Sequence, residues 1–451
     1  MIQHLLLLAL LPAAPVDLLI RGGTVVTVDP KMRVLENAAV AIRGSTIEAV
    51  LEAGAPLPAA KQTIDAGGHL VIPGLVNAHG HAPMVLMRGL ADDMKLMEWL
   101  NDFIFPAEAK NVNPEFCYWG TLLACIEMAR SGTTTFADMY YFEDDIARAV
   151  DKAGLRAVLG QTIIGFPAPD YKTPDEALAA TEAFIRRWKP HPRIMPGPAP
   201  HALYTTDLEV VRRARELSRR YGVLFQIHGH ESPEEDEAVQ KKLGKTTLTA
   251  LDQAGILGPG MILHHAITVT SKDIALMAKH GVATSHNPES NMKGGSGLSP
   301  VPDLLAAGLA VGLGTDGAAS NNNLDMFEEM DSAAKVHKLT RADPTVLPAK
   351  VVFSMATRIG AQALGLGDQI GSIEKGKRAD LVLIDARVPE LTPLYDVYSQ
   401  LVYAVKGGQV RTVVVDGRVV VQDRQMMTVD VAEVLSHARK IQSDILKSLA
   451  K

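Results

Sequence analysis

Through its long middle, this chain alternates short apolar segments rich in β-branched residues with longer amphipathic ones. Such alternation is typical of parallel sheets, because a crossover helix must return the chain before the next parallel strand begins. Eight strand candidates can be counted, at 70–78, 133–139, 157–163, 194–200, 223–227, 261–263, 282–285 and 310–314. Eight βα units predict an α/β fold in which the strands close into a (β/α)8 barrel of the TIM type.

The two ends of the chain carry a different, antiparallel β pattern. Short β-rich runs broken by glycine and asparagine occupy 17–42, and similar runs return between 380 and 421. A chain of 451 residues is too long for one ordinary core, so we predict a small β-sandwich domain formed from both ends. The predicted boundaries are 1–16 for an N-terminal extension, 17–66 and 367–427 for the β-sandwich domain, 67–366 for the barrel, and 428–451 for a C-terminal helix.

The N-terminus contains a short apolar run, residues 5–11, followed by Pro-Ala-Ala-Pro. This run is similar to the core of a signal peptide, but no Lys or Arg precedes it. It is also too short to span a bilayer. We expect a cytoplasmic protein, with export through this signal-like segment as the alternative.

Composition narrows the classes of partner. The net charge of -6 gives no reason to expect nucleic acid or an anionic membrane. The two cysteines, Cys117 and Cys125, are too few for a cysteine zinc cluster, and the Pro-Cys-x-x-Cys pair of the cytidine-deaminase type is absent. We expect a small-molecule substrate, no nucleic acid, no membrane and a homo-oligomer.

Polar residues gather where the predicted barrel strands end. In such barrels the active site lies at the carboxyl ends of the strands. Eight of the 14 histidines fall at these ends, together with one aspartate: His79, His81, His201, His228, His230, His264, His265, His286 and Asp316. A converging cluster of histidine and carboxylate at one barrel mouth is typical of a metal-dependent hydrolase.

Four of these residues are the candidate metal ligands. His79 and His81 alternate by two on an extended segment, so both side chains point to the same side. His228 follows an apolar strand, and Asp316 lies in Leu-Gly-Thr-Asp-Gly after the last strand. The competing interpretations are polar loop residues, a hydrogen-bonded core histidine and a turn-stabilising aspartate.

One glycine pattern near the last strand does not carry a function. Residues 312–317 match the Gly-x-Gly-x-x-Gly spacing of dinucleotide-binding folds. That fold needs a helix directly afterwards, whereas the polar residues 318–323 follow here. Nucleotide binding at this position is therefore not expected.

The sequence around these residues resembles the amidohydrolase superfamily. Pro-Gly-Leu-Val-Asn-Ala-His-Gly-His at 73–81 is similar to its first-strand motif, and 285–291 and 314–322 are similar to its later motifs. The continuation Arg-Gly-Leu-Ala-Asp-Asp at 88–93 and Glu-Trp-Leu at 98–100 resembles the methylthioadenosine/S-adenosylhomocysteine deaminases, which are grouped with the triazine hydrolases. The resemblance extends from about residue 17 to residue 416.

The resemblance implies a role for each candidate residue. It implies metal ligation by His79, His81, His228 and Asp316. Glu231 matches the acid/base carboxylate, and His265 matches the histidine that steadies the attacking hydroxide, which leaves Glu231, His265 and Asp316 as the catalytic set. The expected substrate-binding residues are Glu108 and His201 at the ribose hydroxyls, together with Gln161, Trp99 and His286.

The resemblance also implies one divalent metal ion, zinc first, with iron or manganese as alternatives. Relatives with two metals bridge the ions through a carboxylated lysine at the end of strand four. Here that stretch, 198–203, contains no lysine.

The implied reaction is hydrolytic deamination of the adenine ring in 5′-substituted adenosines, which yields the inosine analogue and ammonia. Gln161 stands where S-adenosylhomocysteine-using members can have arginine, so we expect a preference for a small uncharged 5′ group. His230 also replaces a residue that is usually bulkier or aromatic. The alternative enzyme is an aminohydrolase or chlorohydrolase of guanine, cytosine or an s-triazine. A non-catalytic scaffold is disfavoured because all four ligands are kept.

Overall fold

The structure is a computed structural model that describes residues 14–449. The signal-like run 5–11, and most of the predicted extension 1–16, lie outside the described residues. Within the described part, no helix is both long enough and apolar enough to cross a membrane.

Seventeen strands form in the described part of the chain. They are β1 Val16–Val26, β2 Val34–Arg43, β3 Thr46–Leu51, β4 Ala60–Asp65, β5 His69–Pro73, β6 Leu75–Asn77, β7 Thr133–Tyr140, β8 Arg156–Ile163, β9 Ile194–Pro200, β10 Phe225–Gly229, β11 Met261–His265, β12 Ala283–His286, β13 Val311–Leu313, β14 Leu381–Asp385, β15 Val410–Val415, β16 Arg418–Gln422 and β17 Gln425–Met426.

Sixteen α-helices connect or follow the strands of the described part. They are α1 Leu96–Glu98, α2 Phe105–Asn111, α3 Pro114–Arg130, α4 Glu143–Ala153, α5 Pro174–Trp188, α6 Leu208–Tyr221, α7 Pro233–Leu243, α8 Thr247–Gln253, α9 Ser271–His280, α10 Pro288–Lys293, α11 Val301–Ala306, α12 Met326–Arg341, α13 Ala349–Met355, α14 Arg358–Ala363, α15 Val397–Tyr403 and α16 Val431–Leu449. A π-helical turn, Trp99–Ile104, joins α1 to α2, and short 3-10 turns form at Ala82–Met87, Pro389–Leu391 and Gly407–Gln409.

The middle of the chain forms two four-stranded parallel sheets, ordered β6-β7-β8-β9 and β10-β11-β12-β13. Every residue of β7 and β8 is buried, as expected for parallel strands covered on both faces. Hydrogen bonds just beyond the strand ends link the two sheets at both edges: Ala78 N donates to Leu313 O at 2.7 Å, and His228 N donates to His201 O at 3.0 Å. The α/β fold with parallel sheets is therefore confirmed, and full closure into a barrel stays a prediction.

Local sequence signals explain where the connecting helices begin and end. Helix α5 starts with a capping box in which Thr173 accepts from Glu176 N and the Glu176 carboxylate accepts from Thr173 N. Helices α4 and α6 end at Gly154 and Gly222, which adopt the left-handed conformation that closes a helix. Short connections follow these two glycines, because β8 begins at Arg156 and β10 at Phe225.

The first predicted strand, 70–78, is wrong as a single element, because the chain breaks it at Gly74. Strand β5 pairs antiparallel with β14, and only β6 joins β7 in the parallel sheet. Gly74 donates its N–H to Asp380 O at 2.9 Å, and a Cβ at this position would lie 2.0 Å from Thr134 Oγ1. Only glycine allows this close approach, so residue 74 is where the chain leaves one sheet for the other.

Both ends of the described chain do share one sheet. Nine strands join in it, in the order β17-β16-β15-β14-β5-β1-β2-β3, with β4 paired to β1. A division into two packed sheets, as in a sandwich, stays a prediction, and so do the domain boundaries given above. The predicted C-terminal helix corresponds to α16, whose His437 ring stacks on Trp119 of α3 with 3.6 Å between centroids.

Candidate metal centre and substrate cavity

The four candidate ligands meet at the carboxyl ends of the parallel strands. His79 and His81 follow β6, His228 lies on β10 and Asp316 follows β13. Asp316 Oδ1 lies 3.5 Å from His79 Nε2 and 3.4 Å from His81 Nε2. The ring centroid of His228 lies 5.0 Å from that of His79 and 5.4 Å from that of His81. Ligand atoms of His79, His81 and Asp316 lie within 4.8 Å of one another, so one ion could contact these three, with His228 beside them.

His79 fits a metal because its buried ring makes no hydrogen bond to any described residue. Its side chain is fully buried, and neither Nδ1 nor Nε2 makes a hydrogen bond to any described residue. Buried polar atoms are nearly always satisfied, so an orphaned imidazole requires an explanation. Burial and the neighbouring histidines hold the pKa of His79 well below its usual value, so the ring is neutral.

Hydrogen bonds at Nδ1 set the tautomers of the other two histidines. His81 Nδ1 lies 2.7 Å from Met139 O, and His228 Nδ1 lies 2.9 Å from His201 O. A carbonyl oxygen only accepts, so in both rings Nδ1 carries the proton. Nε2 of each ring is left with a free lone pair, as a metal ligand requires.

Asp316 has a strained backbone, and three hydrogen bonds hold its carboxylate. Its φ is 62°, in the left-handed region that non-glycine residues rarely adopt. Ser290 Oγ donates to Oδ2 at 2.6 Å, Ser320 Oγ donates to the same oxygen at 3.0 Å, and Gly317 N donates to Oδ1 at 2.7 Å. Burial raises the pKa of Asp316, but His265, His81, Ser290 and Gly317 outweigh burial and leave the pKa lowered.

Gly314 allows this loop to approach His79. A Cβ on Gly314 would lie 2.6 Å from Asn287 Oδ1 and 2.8 Å from His79 N. Strain also appears nearby, because His265 and His230 have φ values of 72° and 56°. Backbone strain of this kind clusters at functional sites.

His265 and Glu231 face each other beside the ligand cluster. His265 Nε2 lies 3.8 Å from Glu231 Oε1, and its Nδ1 lies 3.0 Å from Asn291 Oδ1. Ligand atoms of His79, His228 and His265 also lie within 4.8 Å of one another, so His265 could contact the same ion. Burial, and then the charge of Asp316, raises the pKa of Glu231 to about 8. A carboxyl group with such a pKa can hold a proton at neutral pH.

A cavity opens over this cluster and extends to Glu108 and His201. Tyr140 Oη donates to Glu108 Oε1 at 2.7 Å, and burial raises the pKa of Glu108 to about 7. His201 Nδ1 lies 2.9 Å from Thr205 Oγ1, which itself donates to Ala202 O. The His201 ring therefore donates through Nδ1 and keeps Nε2 as an acceptor. Burial lowers the pKa of His201 to about 3, so the ring is neutral.

Three further predicted residues have mixed outcomes. Trp99 lines the cavity, and its Nε1 donates to Ala91 O at 3.1 Å. Gln161 does not line the cavity, because its amide donates to Asp170 Oδ2 at 2.8 Å and to Thr162 O. His286 does not line it either, since its fully buried ring lies against His337, with 3.3 Å between the two Nε2 atoms. Gln161 and His286 thus lie outside the cavity lining, and their roles in substrate binding stay predictions.

Sequence reasoning missed a polar cluster at the cavity rim. Asp92 accepts from Lys293, and Lys293 donates to Asn322 Oδ1 at 3.0 Å. These residues come from the segments after β6, β12 and β13 and are far apart in sequence, so only the fold brings them together. We call Asp92, Lys293 and Asn322 the rim cluster. The resemblance at 88–93 and 314–322 marked two of its segments but not their contact.

A parallel α/β fold with a His/Asp cluster at its strand ends is typical of metal-dependent hydrolases. Comparison with known proteins points to the same class. The model of the amidohydrolase family matches residues 70–420. This chain belongs to the amidohydrolase family.

The relatives narrow the class further. A 5-methylthioadenosine/S-adenosylhomocysteine deaminase 1 of Syntrophus aciditrophicus is 46% identical over 436 residues, which cover 96% of this chain and 98% of the relative. A 5′-deoxyadenosine deaminase of Methanosarcina mazei is 42% identical, with 95% and 98% covered. A crystal structure of an adenosine deaminase from Xanthomonas campestris with bound zinc is 40% identical, with a TM-score of 0.94 and coverage of 96% and 99%.

Proposed function

We propose that this enzyme hydrolytically removes the 6-amino group of adenine in 5′-substituted adenosines and releases ammonia and the inosine analogue. The substrate class comprises 5′-methylthioadenosine, S-adenosylhomocysteine, 5′-deoxyadenosine and adenosine. The observation that carries this proposal is that one cavity holds both the His/Asp cluster and a second polar pair, Glu108 and His201. The names of the relatives at 42–46% identity support the same substrate class.

We place one divalent metal between His79, His81, His228 and Asp316. A metal bound there lowers the pKa of its water toward ~7 and so supplies hydroxide at neutral pH. Mixed histidine and carboxylate ligation suits zinc, and also iron or manganese. The zinc named in the solved relative supports zinc as the first choice.

Asp316 and Glu231 divide the proton transfers. Asp316 accepts the proton of the attacking water, for which its buried carboxylate is fixed by Ser290 and Ser320, and passes it to the amino group that leaves as ammonia, while the C6 hydroxyl returns its proton to Glu231. Glu231 lines the same cavity and delivers a proton to ring N1, because C6 accepts attack only when the ring nitrogen can take the charge. His265, 3.8 Å from Glu231, steadies the attacking oxygen by a hydrogen bond.

Glu108 and His201 hold the ribose hydroxyls. Both present acceptors to the cavity, a carboxylate oxygen and a lone pair on Nε2, and a hydroxyl can donate to each. A free heterocycle such as guanine or a triazine has no ribose to use them. These two residues therefore favour nucleosides over the alternative heterocycles.

The 5′ group is expected to be small and uncharged, for a reason different from the one expected at Gln161. Lys293 is the one Lys or Arg among the described residues that line the cavity, and it is already paired with Asp92. A homocysteine carboxylate would have to break that pair before it could use Lys293. Losing a charged contact costs ~1–3 kcal/mol, or roughly ten- to hundredfold in kcat/KM.

Ammonia release from a substrate panel tests the reaction. We expect turnover of methylthioadenosine, 5′-deoxyadenosine or adenosine, and none of guanine or melamine. Glu108→Gln and His201→Phe should raise KM for nucleosides. Turnover of guanine or melamine with no turnover of any adenosine would contradict the proposal.

A second assay tests the 5′ preference. We expect kcat/KM for methylthioadenosine to exceed that for S-adenosylhomocysteine by roughly ten- to hundredfold. Asp92→Asn should raise the relative use of S-adenosylhomocysteine by freeing Lys293, whereas Gln161→Arg should not. Equal or better use of S-adenosylhomocysteine by the wild type would contradict this preference.

A further inference from the structure

A buried glutamate on a helix behind the site joins two of the loops that surround Asp316. Glu329 lies on α12, its side chain is fully buried, and it does not line the cavity. Its Oε2 accepts a hydrogen bond from Glu289 N, in the first turn of α10, at 3.3 Å. Its Oε1 accepts a hydrogen bond from Asn321 Nδ2, in the loop after β13. One carboxyl group therefore holds the segments that follow β12 and β13 together.

Both contacts lie one residue away from a serine that fixes the Asp316 carboxylate. Glu289 directly precedes Ser290, whose Oγ donates to Asp316 Oδ2 at 2.6 Å. Asn321 directly follows Ser320, whose Oγ donates to the same oxygen at 3.0 Å. Each serine is thus attached to a residue that the buried glutamate binds.

Asn321 adds a third connection, to the backbone beside Asp316. The amide nitrogen that donates to Glu329 also donates to Thr315 O at 2.8 Å. Asp316 has a left-handed backbone with a φ of 62°, and such strain persists only where the surrounding structure over-determines it. By orienting the Asn321 amide, Glu329 supports this strained residue from outside the cavity.

We propose that Glu329 is a positioning residue, which sets the Asp316 carboxylate for metal binding and proton transfer by fastening the loops after β12 and β13 to each other. This inference rests on the metal centre of the proposed function. It goes beyond that function, because Glu329 lies outside both the ligand cluster and the cavity lining. Partners that orient a metal ligand typically account for 10–100-fold in metal affinity or activity.

Substitution of Glu329 tests the proposal through metal affinity, measured by chelator competition on folded protein. Glu329→Ala removes both contacts, so metal affinity should weaken about 10–100-fold. Glu329→Gln keeps one acceptor oxygen and loses the other, so affinity should weaken by about three- to tenfold, as expected for the loss of one hydrogen bond.

The split between kcat and KM gives a second readout on the same variants. At saturating metal, kcat for methylthioadenosine should fall in Glu329→Gln by about three- to tenfold. KM should stay unchanged, because Glu108 lies on α2 and His201 follows β9, away from the two loops that Glu329 joins. A purely structural role would not produce a loss confined to metal affinity and kcat.

Two neighbours on α12 supply matched controls. Glu328→Gln makes the same change at the adjacent glutamate, whose half-buried side chain makes no hydrogen bond to any described residue. This variant should keep the metal affinity and kcat of the wild type. Met330→Ala removes a fully buried side chain next to Glu329, so it should lower the melting temperature and leave metal affinity and kcat unchanged.

The outcomes separate this inference from the proposed function. If Glu329→Ala does not fold, Glu329→Gln decides alone. Wild-type metal affinity and kcat in folded Glu329→Gln would overturn the inference, and so would an equal loss of both in Met330→Ala; either result leaves the metal centre intact. A wild-type chain that binds no divalent metal would overturn the proposed function, and this inference with it.

Discussion

Two buried charged clusters lie at opposite ends of the parallel strands. At the amino end, Arg156 opens β8 with 1% of its surface exposed. Its guanidinium donates to both oxygens of Asp380 at 3.1 and 3.2 Å, to Asp416 at 3.2 Å and to Pro192 O at 3.1 Å. At the carboxyl end, both ring nitrogens of His79 find no partner among the described residues.

The difference between the two clusters indicates that the Arg156 cluster serves stability and the His79 cluster serves function. Arg156 pairs with Asp380 and Asp416, which flank strands of the nine-stranded sheet, so it fastens that sheet to the parallel strands. The His79 end keeps unpaired lone pairs and left-handed backbone at Asp316 and His265, which cost stability. Changes at the first cluster should therefore affect folding, and changes at the second should affect chemistry.

The largest expected effect is at Glu231. Glu231→Gln should lower kcat by ~10²–10⁴, the usual contribution of acid/base catalysis, with metal content and melting temperature unchanged. Steady-state kinetics with metal analysis on the same sample measures both. Loss of the metal, or retention of most of the rate, would show that Glu231 is a ligand or is dispensable.

The next largest effect is expected at Arg156, where a substitution should lower stability and leave catalysis unchanged. Arg156→Met leaves the buried Asp380 without its cation, whereas Asp416 keeps Arg378 at 3.3 Å, so unfolding should become easier by about 3–5 kcal/mol. Activity per folded, metal-loaded molecule should stay the same. Denaturant unfolding measures stability, and kcat on the folded fraction measures catalysis. A large fall in kcat without a loss of stability would contradict a purely structural role for Arg156.

The smallest effect is a pH dependence at Glu108. Burial raises its pKa to about 7, with Tyr140 and Tyr141 as the hydrogen-bonding neighbours, so the carboxyl group is protonated at pH 6 and ionised at pH 8. The ionised form accepts more strongly from a ribose hydroxyl. KM for adenosine should therefore fall by about three- to tenfold from pH 6 to 8. Glu108→Gln should remove this change, and an unaltered pH profile in that variant would rule out the assignment.

The sequence could predict the ligand cluster because its residues obey simple rules of position. Histidines at strand ends and an aspartate after the last strand must meet if the strands are parallel. The break at Gly74 was missed because β5 and β6 read as one apolar run, and the contact with Thr134 that demands glycine is visible only in the fold. The antiparallel pairing of β5 with β14 was equally hidden.

Side-chain partners from distant segments were beyond sequence reasoning. Resemblance predicts that Gln161 contacts the substrate, and it could not foresee that the amide of Gln161 donates to Asp170. Likewise, the contact of Asp92 with Lys293 joins residues about 200 positions apart. Periodicity and motifs indicate which face of an element a residue lies on. They do not indicate which neighbouring residue its side chain will hydrogen-bond.

One measurement tests the central claim most directly: ammonia release from methylthioadenosine alongside a count of metal ions per chain. Chelation should abolish activity, and zinc, iron or manganese should restore it at one ion per active chain. His79→Ala should bind the ion poorly and stay inactive at metal concentrations that restore the wild type. Full activity in the metal-free protein, or two ions per active chain, would contradict the account.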